Sequence, residues 1–193
     1  MKIFNIIGKY RDVQEWEINW HMLQDSTVIR SDNPFFVPDF DTEFRLYPSL
    51  AIRIDRLGKS IAPKFAHRYY AQATLAATVR AENMLSGLRA KGLPWDKAIS
   101  FDRSCMLGDF RPIENLETAK GIFFHIGDYT REISPAGFKS DIDKIISLVS
   151  ENNILKMGDI ILLTGDESGI ELEPGQNLCA EADTDKLLEI RIK

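Results

Sequence analysis

Few side chains in this sequence have the type and spacing of a reactive group. The clearest pattern is one alternating segment, which reads as a strand. From Phe44 to Arg56, Leu46, Leu50, Ile52 and Ile54 fall on even positions, and Arg45, Tyr47, Ser49, Arg53 and Asp55 on odd ones. A β-strand turns successive side chains to opposite faces, so this period predicts one buried face and one polar face. Tyr47 and Ser49 are therefore expected on the polar face, with Arg45, Arg53 and Asp55. Pro48 between them has no N–H to give a ladder and predicts an edge or a bulge. Other reactive types are isolated. Cys105 and Cys179 are far apart with no CxxC spacing, which argues against a disulfide framework and a zinc site. His67 has no evident nucleophile beside it and reads as part of a packed surface turn.

The elements that must position these groups read as mostly strands with a few helices. Lys2 to Ile7 is a short apolar run ended by Gly8, a first strand. Residues 9–26 are polar; Trp16 and Trp20 sit four apart, so this stretch reads as a short helix or an irregular loop. Val28–Arg30 and Phe35–Val37 are short strand candidates around Ser31-Asp32-Asn33-Pro34. Ala81, Leu85 and Leu88 predict a helix opening near Val79 and stopped by Gly92 and Pro94. Residues 121–127 and 129–133 predict a hairpin about Gly127-Asp128. Ile142, Ile145, Ile146 and Val149 predict a helix over 140–151, with Ser140 and Asp143 in the pattern of a capping box. Ile160–Leu163 has the continuous apolar character of a buried strand, residues 165–175 read as a loop, and strands are expected over 178–182 and 187–192. The class is α+β or mainly β, with two principal helices.

Composition narrows the partners. At 193 residues the chain is expected to form one domain, 1–193, with one sizeable core. A net charge of −5 argues against nucleic acid and anionic membranes, which reward excess Lys and Arg. No apolar run approaches the ~20 residues that cross a bilayer. The opening MKIFNIIGKYRD lacks the pattern of a secretory signal, so a cytoplasmic location is expected.

Three stretches together resemble the fumarylacetoacetate hydrolase family. GLPWDKAISFDRSCMLGDF at 92–110 is similar to its GxPW…FD…LG segment. IISLVSENNILKMGDIILLTG at 145–165 is similar to its helix and following GD…TG strand. ELEPGQNLCAEADTDKLLEIRIK at 171–193 is similar to its closing hairpin. The resemblance implies a mixed β-sheet roll, usually a homodimer, acting on acylpyruvates and related oxo acids by hydrolysis, decarboxylation or isomerisation with magnesium or manganese. A hard dication takes oxygen ligands and acts as a Lewis acid on a developing enolate.

Carried over position by position, the resemblance places the family's two strand carboxylates on Tyr47 and Ser49, its third ligand on Asn83 and its supporting Lys on Ile99. The lid His falls at Val13 or its neighbours. The substrate loop falls on Thr164, Gly165, Asp166 and Glu167, and the retained Asp on Asp102; Asp109 is a further acid of the same segment. Tyr, Ser and Asn bring no charge to a dication, so the expectation is no metal, no cofactor and no catalytic residues. The chain would then be a scaffold or oxo-acid binder, forming a homodimer or pairing with an active relative. The alternative is an active hydrolase, isomerase or decarboxylase using a rebuilt or metal-independent site, with Asp166 and Glu167 as candidate acids.

Overall fold

The structure is a computed structural model that describes residues 1–31, 33–164 and 168–193, with Trp16 described by its backbone only. In chain order the strands are β1 (Ile3–Ile7), β2 (Asn19–Leu23), β3 (Val28–Arg30), β4 (Phe44–Ile54), β5 (Tyr70–Ala81), β6 (Cys105–Leu107) and β7 (Arg111–Pro112). They continue as β8 (Ile122–Ile126), β9 (Tyr129–Ile133), β10 (Ile160–Thr164), β11 (Ile170–Glu171), β12 (Asn177–Ala182) and β13 (Asp185–Arg191). The helices are α1 (Pro63–Ala66), α2 (Glu82–Ala90), α3 (Ile113–Glu117) and α4 (Phe138–Asn152), of which α2 and α4 are the two long ones. The mainly β, α+β class is as the sequence indicates.

The antiparallel pair β4–β5 is the spine, in register from Phe44 opposite Ala81 to Ile54 opposite Tyr70. The main sheet runs β2-β1-β10-β4-β5-β6-β3, and a second runs β13-β12-β8-β9. β2 and β3 lie at opposite ends of the main order, yet only residues 24–27 join them. So short a connection requires the sheet to curl back on itself as a roll. One face packs Phe4, Ile6, Leu50, Ile52, Leu75 and Val79 into the principal core, which also takes in α4 and the second sheet. On the opposite face, Ile3, Ala51, Ala76, Leu107 and Leu162 form a separate, smaller apolar cluster.

Both faces of β4 are therefore buried in the middle, where the alternation had predicted one polar face: Tyr47 is 9% exposed and Ser49 fully buried. Pro48 is on a central strand. It falls where β10 pairs with 50–53 and β11 with 45–46, so that neither reaches it on that side. β5 is a strand where no strand was expected. Its alanine-rich sequence, YAQATLAATVRA, has low strand propensity, but small side chains suit a strand whose two faces are both covered. The helix expected from Val79 accordingly begins at Glu82. The 9–26 segment contains a 3₁₀ turn at Glu15–Glu17 followed by strand β2, so Trp20 belongs to a strand. Phe35 makes only an isolated bridge to Ile192. Gly137 caps α4 at φ 79°, and the Ser140 hydroxyl donates to the Gly137 carbonyl at 2.8 Å, in place of a capping box with Asp143. No helix among the described residues is long and apolar enough to cross a membrane.

Candidate functional site at the mouth of the roll

Along the face that carries the smaller cluster, the residues change from apolar to polar toward one end. Alternation from Ile3 and Leu162 brings up Asn5 and Thr164, and from Ala51 and Ala76 it brings up Ser49, Tyr47, Thr78 and Arg80. The Thr164 hydroxyl donates to Asn5 Oδ1 at 2.6 Å and lies 2.7 Å from the Ser49 hydroxyl, with all three side chains buried. This chain of hydrogen bonds ties β1, β10 and β4 together beneath the mouth. Buried polar groups satisfied in this way rigidify a site, because each would be costly alone.

Above it lies Tyr47. Its hydroxyl donates to Glu82 at 2.6 Å, and the Arg80 guanidinium sits 3.6 Å from its ring centroid. Burial, together with the Glu82 bond, pushes the Tyr47 phenol up to about 12, so it remains a proton donor through the physiological range. Arg80 is only 7% exposed. Burial lowers its pKa, opposed by Tyr47 and Glu82, yet a guanidinium starts so high that it keeps its charge. Where the chain returns to β11, Gly169 lies against the Tyr47 ring; a Cβ there would come within 2.6 Å of Tyr47 Cζ.

A cleft of about 210 Å³ opens beside this cluster, lined by Lys9, Tyr10, Arg11, Tyr47, Arg131 and Thr164 among others. Its rim carries cations although the chain is net negative. Arg11 is held by Asp141, with Nε at 2.7 Å from the carboxylate, and by the Ala136 carbonyl; this pins the segment after β1 to the start of α4. Arg131 on β9 donates to the Ser168 carbonyl at 2.7 Å. Such a rim concentrates small anions. On the neighbouring strand, His21 stands opposite Asn5, 4.0 Å from the Trp95 ring and 3.7 Å from Asp96. Burial lowers its pKa, with Asp96 pulling the other way.

The structure brings together some of the positions taken from the sequence. Tyr47 and Thr164 line the cleft, and Ser49 lies directly below. Asn83 is exposed on α2 and donates to Thr42 at 2.9 Å, away from Tyr47. Ile99 is core, Asp102 is exposed on a turn and Val13 packs against the core. Asp109 is exposed, its backbone N–H bonded to the Leu187 carbonyl. Gly165, Asp166 and Glu167 lie outside the described residues. Arg80, Thr78, His21, Asn5, Arg11 and Arg131 were not singled out from the sequence. The signal available for Thr78 and Arg80 was their i, i+2 spacing, legible only once 70–81 is read as a strand.

No protein-family model matches the chain. It is 27% identical over 164 residues to the mitochondrial oxaloacetate tautomerase FAHD1 of Rattus norvegicus, covering 83% of this chain and 73% of that protein. In structure it matches a Yersinia pestis protein assigned to the fumarylacetoacetate hydrolase family, at TM-score 0.86 and 21% identity over 100% of this chain and 92% of the other. It also matches the fumarylpyruvate hydrolase of Pseudomonas aeruginosa, in complex with Mn2+ and pyruvate, at TM-score 0.83 and 16% identity over 100% and 89%. The resemblance read from the motifs is borne out: the chain carries the fumarylacetoacetate hydrolase fold and is related in sequence to curated proteins of that family.

The Pseudomonas complex also corrects an expectation. The lack of acidic residues at three positions argues, in the sequence, for no cofactor, but a protein of this fold holds a divalent cation together with a 2-oxo acid. Neutral residues at those positions do not by themselves remove the metal from the chemistry. The described donors are nevertheless a poor match to a dication: a phenol engaged with Glu82, a buried serine hydroxyl, an outward-facing Asn83 and a guanidinium over the phenol ring. Among the described residues no group of three His, Cys, Asp or Glu is placed to hold a metal ion.

Proposed function

We propose that the chain acts on a small acylpyruvate-like 2-oxo acid, by hydrolysis or by keto–enol isomerisation, in the cleft at the mouth of the roll. The observation that carries this is the lining of one cleft by Lys9 and Arg131 together with Tyr47 and Thr164, on a chain of net charge −5 and with Arg11 paired to Asp141. The curated relative named an oxaloacetate tautomerase and the neighbour complexed with pyruvate support the same substrate class.

In this reading Lys9 and Arg131 hold a substrate carboxylate and orient the carbon next to the carbonyl. Glu82, the carboxylate bonded to Tyr47, is the base that removes a proton from that carbon. The C–H electron pair becomes the C=C bond of the enolate as the carbonyl oxygen takes the negative charge. The Tyr47 hydroxyl, kept protonated, and the nearby Arg80 charge favour that anion. Return of the proton to oxygen completes isomerisation. The chain would pair as a dimer and work in an aqueous compartment, cytoplasmic or, like the rat relative, mitochondrial; sedimentation and cell fractionation read these two points.

The test is turnover of oxaloacetate enol and of a panel of acylpyruvates, with and without added Mn2+, against buffer carrying the same ions. Acceleration in either condition supports the proposal. Equal rates throughout, with oxo-acid binding retained, would sink it and favour the non-catalytic binder instead.

A further inference from the structure

We propose that Arg80 and Thr78 form a carboxylate subsite beneath Tyr47, into which one acid group of the oxo-acid ligand docks. Among the described residues, the buried side-chain atoms without a hydrogen-bond partner are Arg80 Nε, Arg80 Nη2 and Thr78 Oγ1. All three belong to two residues on the same face of β5, two positions apart, and Thr78 stands directly opposite Tyr47. The pairing of the two nitrogens is informative. Nε–H and Nη2–H point the same way along one edge of a guanidinium, and a carboxylate takes that edge with two parallel hydrogen bonds. Arg80 is 7% exposed and Thr78 1%, so water does not satisfy these donors freely. A buried guanidinium whose bidentate edge is left open is a costly arrangement, and an anion offsets it.

Tyr47 lines the cleft and its ring lies against the guanidinium, whereas Arg80 and Thr78 do not line it. The ring is held there by the bond to Glu82 and by Gly169 packed against it. Access therefore requires the Tyr47 ring to swing aside, which makes Tyr47 a gate between the rim cations and the inner subsite. A diacid would span the two, one carboxylate on Arg80 and the other on Lys9 or Arg131. The subsite rests on the oxo-acid reading, and it adds a preference for ligands carrying a carboxylate that can reach inward.

The probe is oxalate, titrated calorimetrically into the wild-type chain and into Arg80→Met, Arg80→Lys, Thr78→Val and Tyr47→Ala. Losing the bidentate edge is expected to weaken oxalate roughly 10- to 100-fold in Arg80→Met. Arg80→Lys, which restores a point charge without the fork, is expected to recover part of that, and Thr78→Val to weaken binding severalfold. Tyr47→Ala, which opens the way to the edge, is expected to bind oxalate at least as tightly as the wild type. Should Arg80→Met fail to fold, Arg80→Lys and Thr78→Val decide. If folded Arg80 and Thr78 variants bind oxalate as the wild type does, the subsite is wrong while the cleft still stands as the binding site. If the wild type and Tyr47→Ala bind no oxalate, the subsite falls, and turnover separately decides the function.

Discussion

The guanidinium of Arg80 lies over the Tyr47 ring, 3.6 Å from its centroid, while the hydroxyl of the same ring donates to Glu82. Cation, aromatic face, phenol and carboxylate thus stand in series, supplied by β5, β4 and the first residue of α2. The β4–β5 register sets the order, pairing Arg45 with Arg80 and Tyr47 with Thr78. A cation over an aromatic face is attracted by the ring's negative potential, and more strongly when water is excluded.

Removing either end of the phenol–carboxylate bond should separate chemistry from binding. Tyr47→Phe keeps the ring over Arg80 but deletes the donor to Glu82, and Glu82→Gln keeps the shape but removes the proposed base. Turnover is expected to fall by roughly 10² or more in Glu82→Gln with KM changed little, and by less in Tyr47→Phe. A Glu82→Gln enzyme with wild-type kcat would remove Glu82 from the chemistry.

Thr164→Val should destabilise the fold out of proportion to its nearly equal volume. The hydroxyl joins Asn5 to Ser49, and without it the buried Asn5 Oδ1 loses its donor. A cost of about 1–3 kcal/mol is expected from urea denaturation with an unchanged m value. A loss below a few tenths of that range would show that the buried chain of hydrogen bonds contributes little.

His21 should make stability depend on pH. Burial depresses its pKa below the ordinary 6.5. As pH falls through 6.5 the unfolded chain takes up a proton that the folded chain still refuses. The associated stability is present above 6.5 and is lost as pH falls through the lower, folded value. His21→Gln should therefore flatten the decline in stability between neutral and mildly acidic pH, measured by urea unfolding at several pH values. Parallel profiles for the two proteins would show that His21 is not the titrating group.

Gly108→Ala tests how closely the two sheets meet. A Cβ at Gly108 would lie 2.4 Å from the Leu187 carbonyl oxygen and 2.9 Å from that of Leu75, both backbone atoms with little freedom to yield. A loss of about 2 kcal/mol or more is expected, seen as a lowered Tm. A neutral substitution would mean that β6 and β13 separate more easily than this geometry allows.

How much was legible follows from which signals the fold obeys. α4 and the β8–β9 hairpin were readable because periodicity and a Gly-Asp turn agree with their tertiary setting. β5 was hidden because its alanines answer to burial on two faces, which no local pattern announces. That omission carried into the site: with residues 70–81 unread, Thr78 and Arg80 could not be placed beside Tyr47. Tyr47, Ser49 and Thr164 were found through motif spacing, and they do meet at the mouth. Asn83, placed by the same counting, faces outward because α2 starts at Glu82 and rotates it toward Thr42. The four-residue spacing of Trp16 and Trp20 left a short helix and an irregular loop both open, and pairing of β2 with β1 makes Trp20 part of a strand instead.

Whether an oxo acid binds in the basic cleft at the mouth of the roll can be seen at once in an experimental structure of the chain with oxalate. Oxalate is expected at this mouth, between the cleft lining of Tyr47, Thr164 and Arg131 and the open guanidinium edge of Arg80. An unfilled cleft with oxalate bound elsewhere on the surface would contradict it.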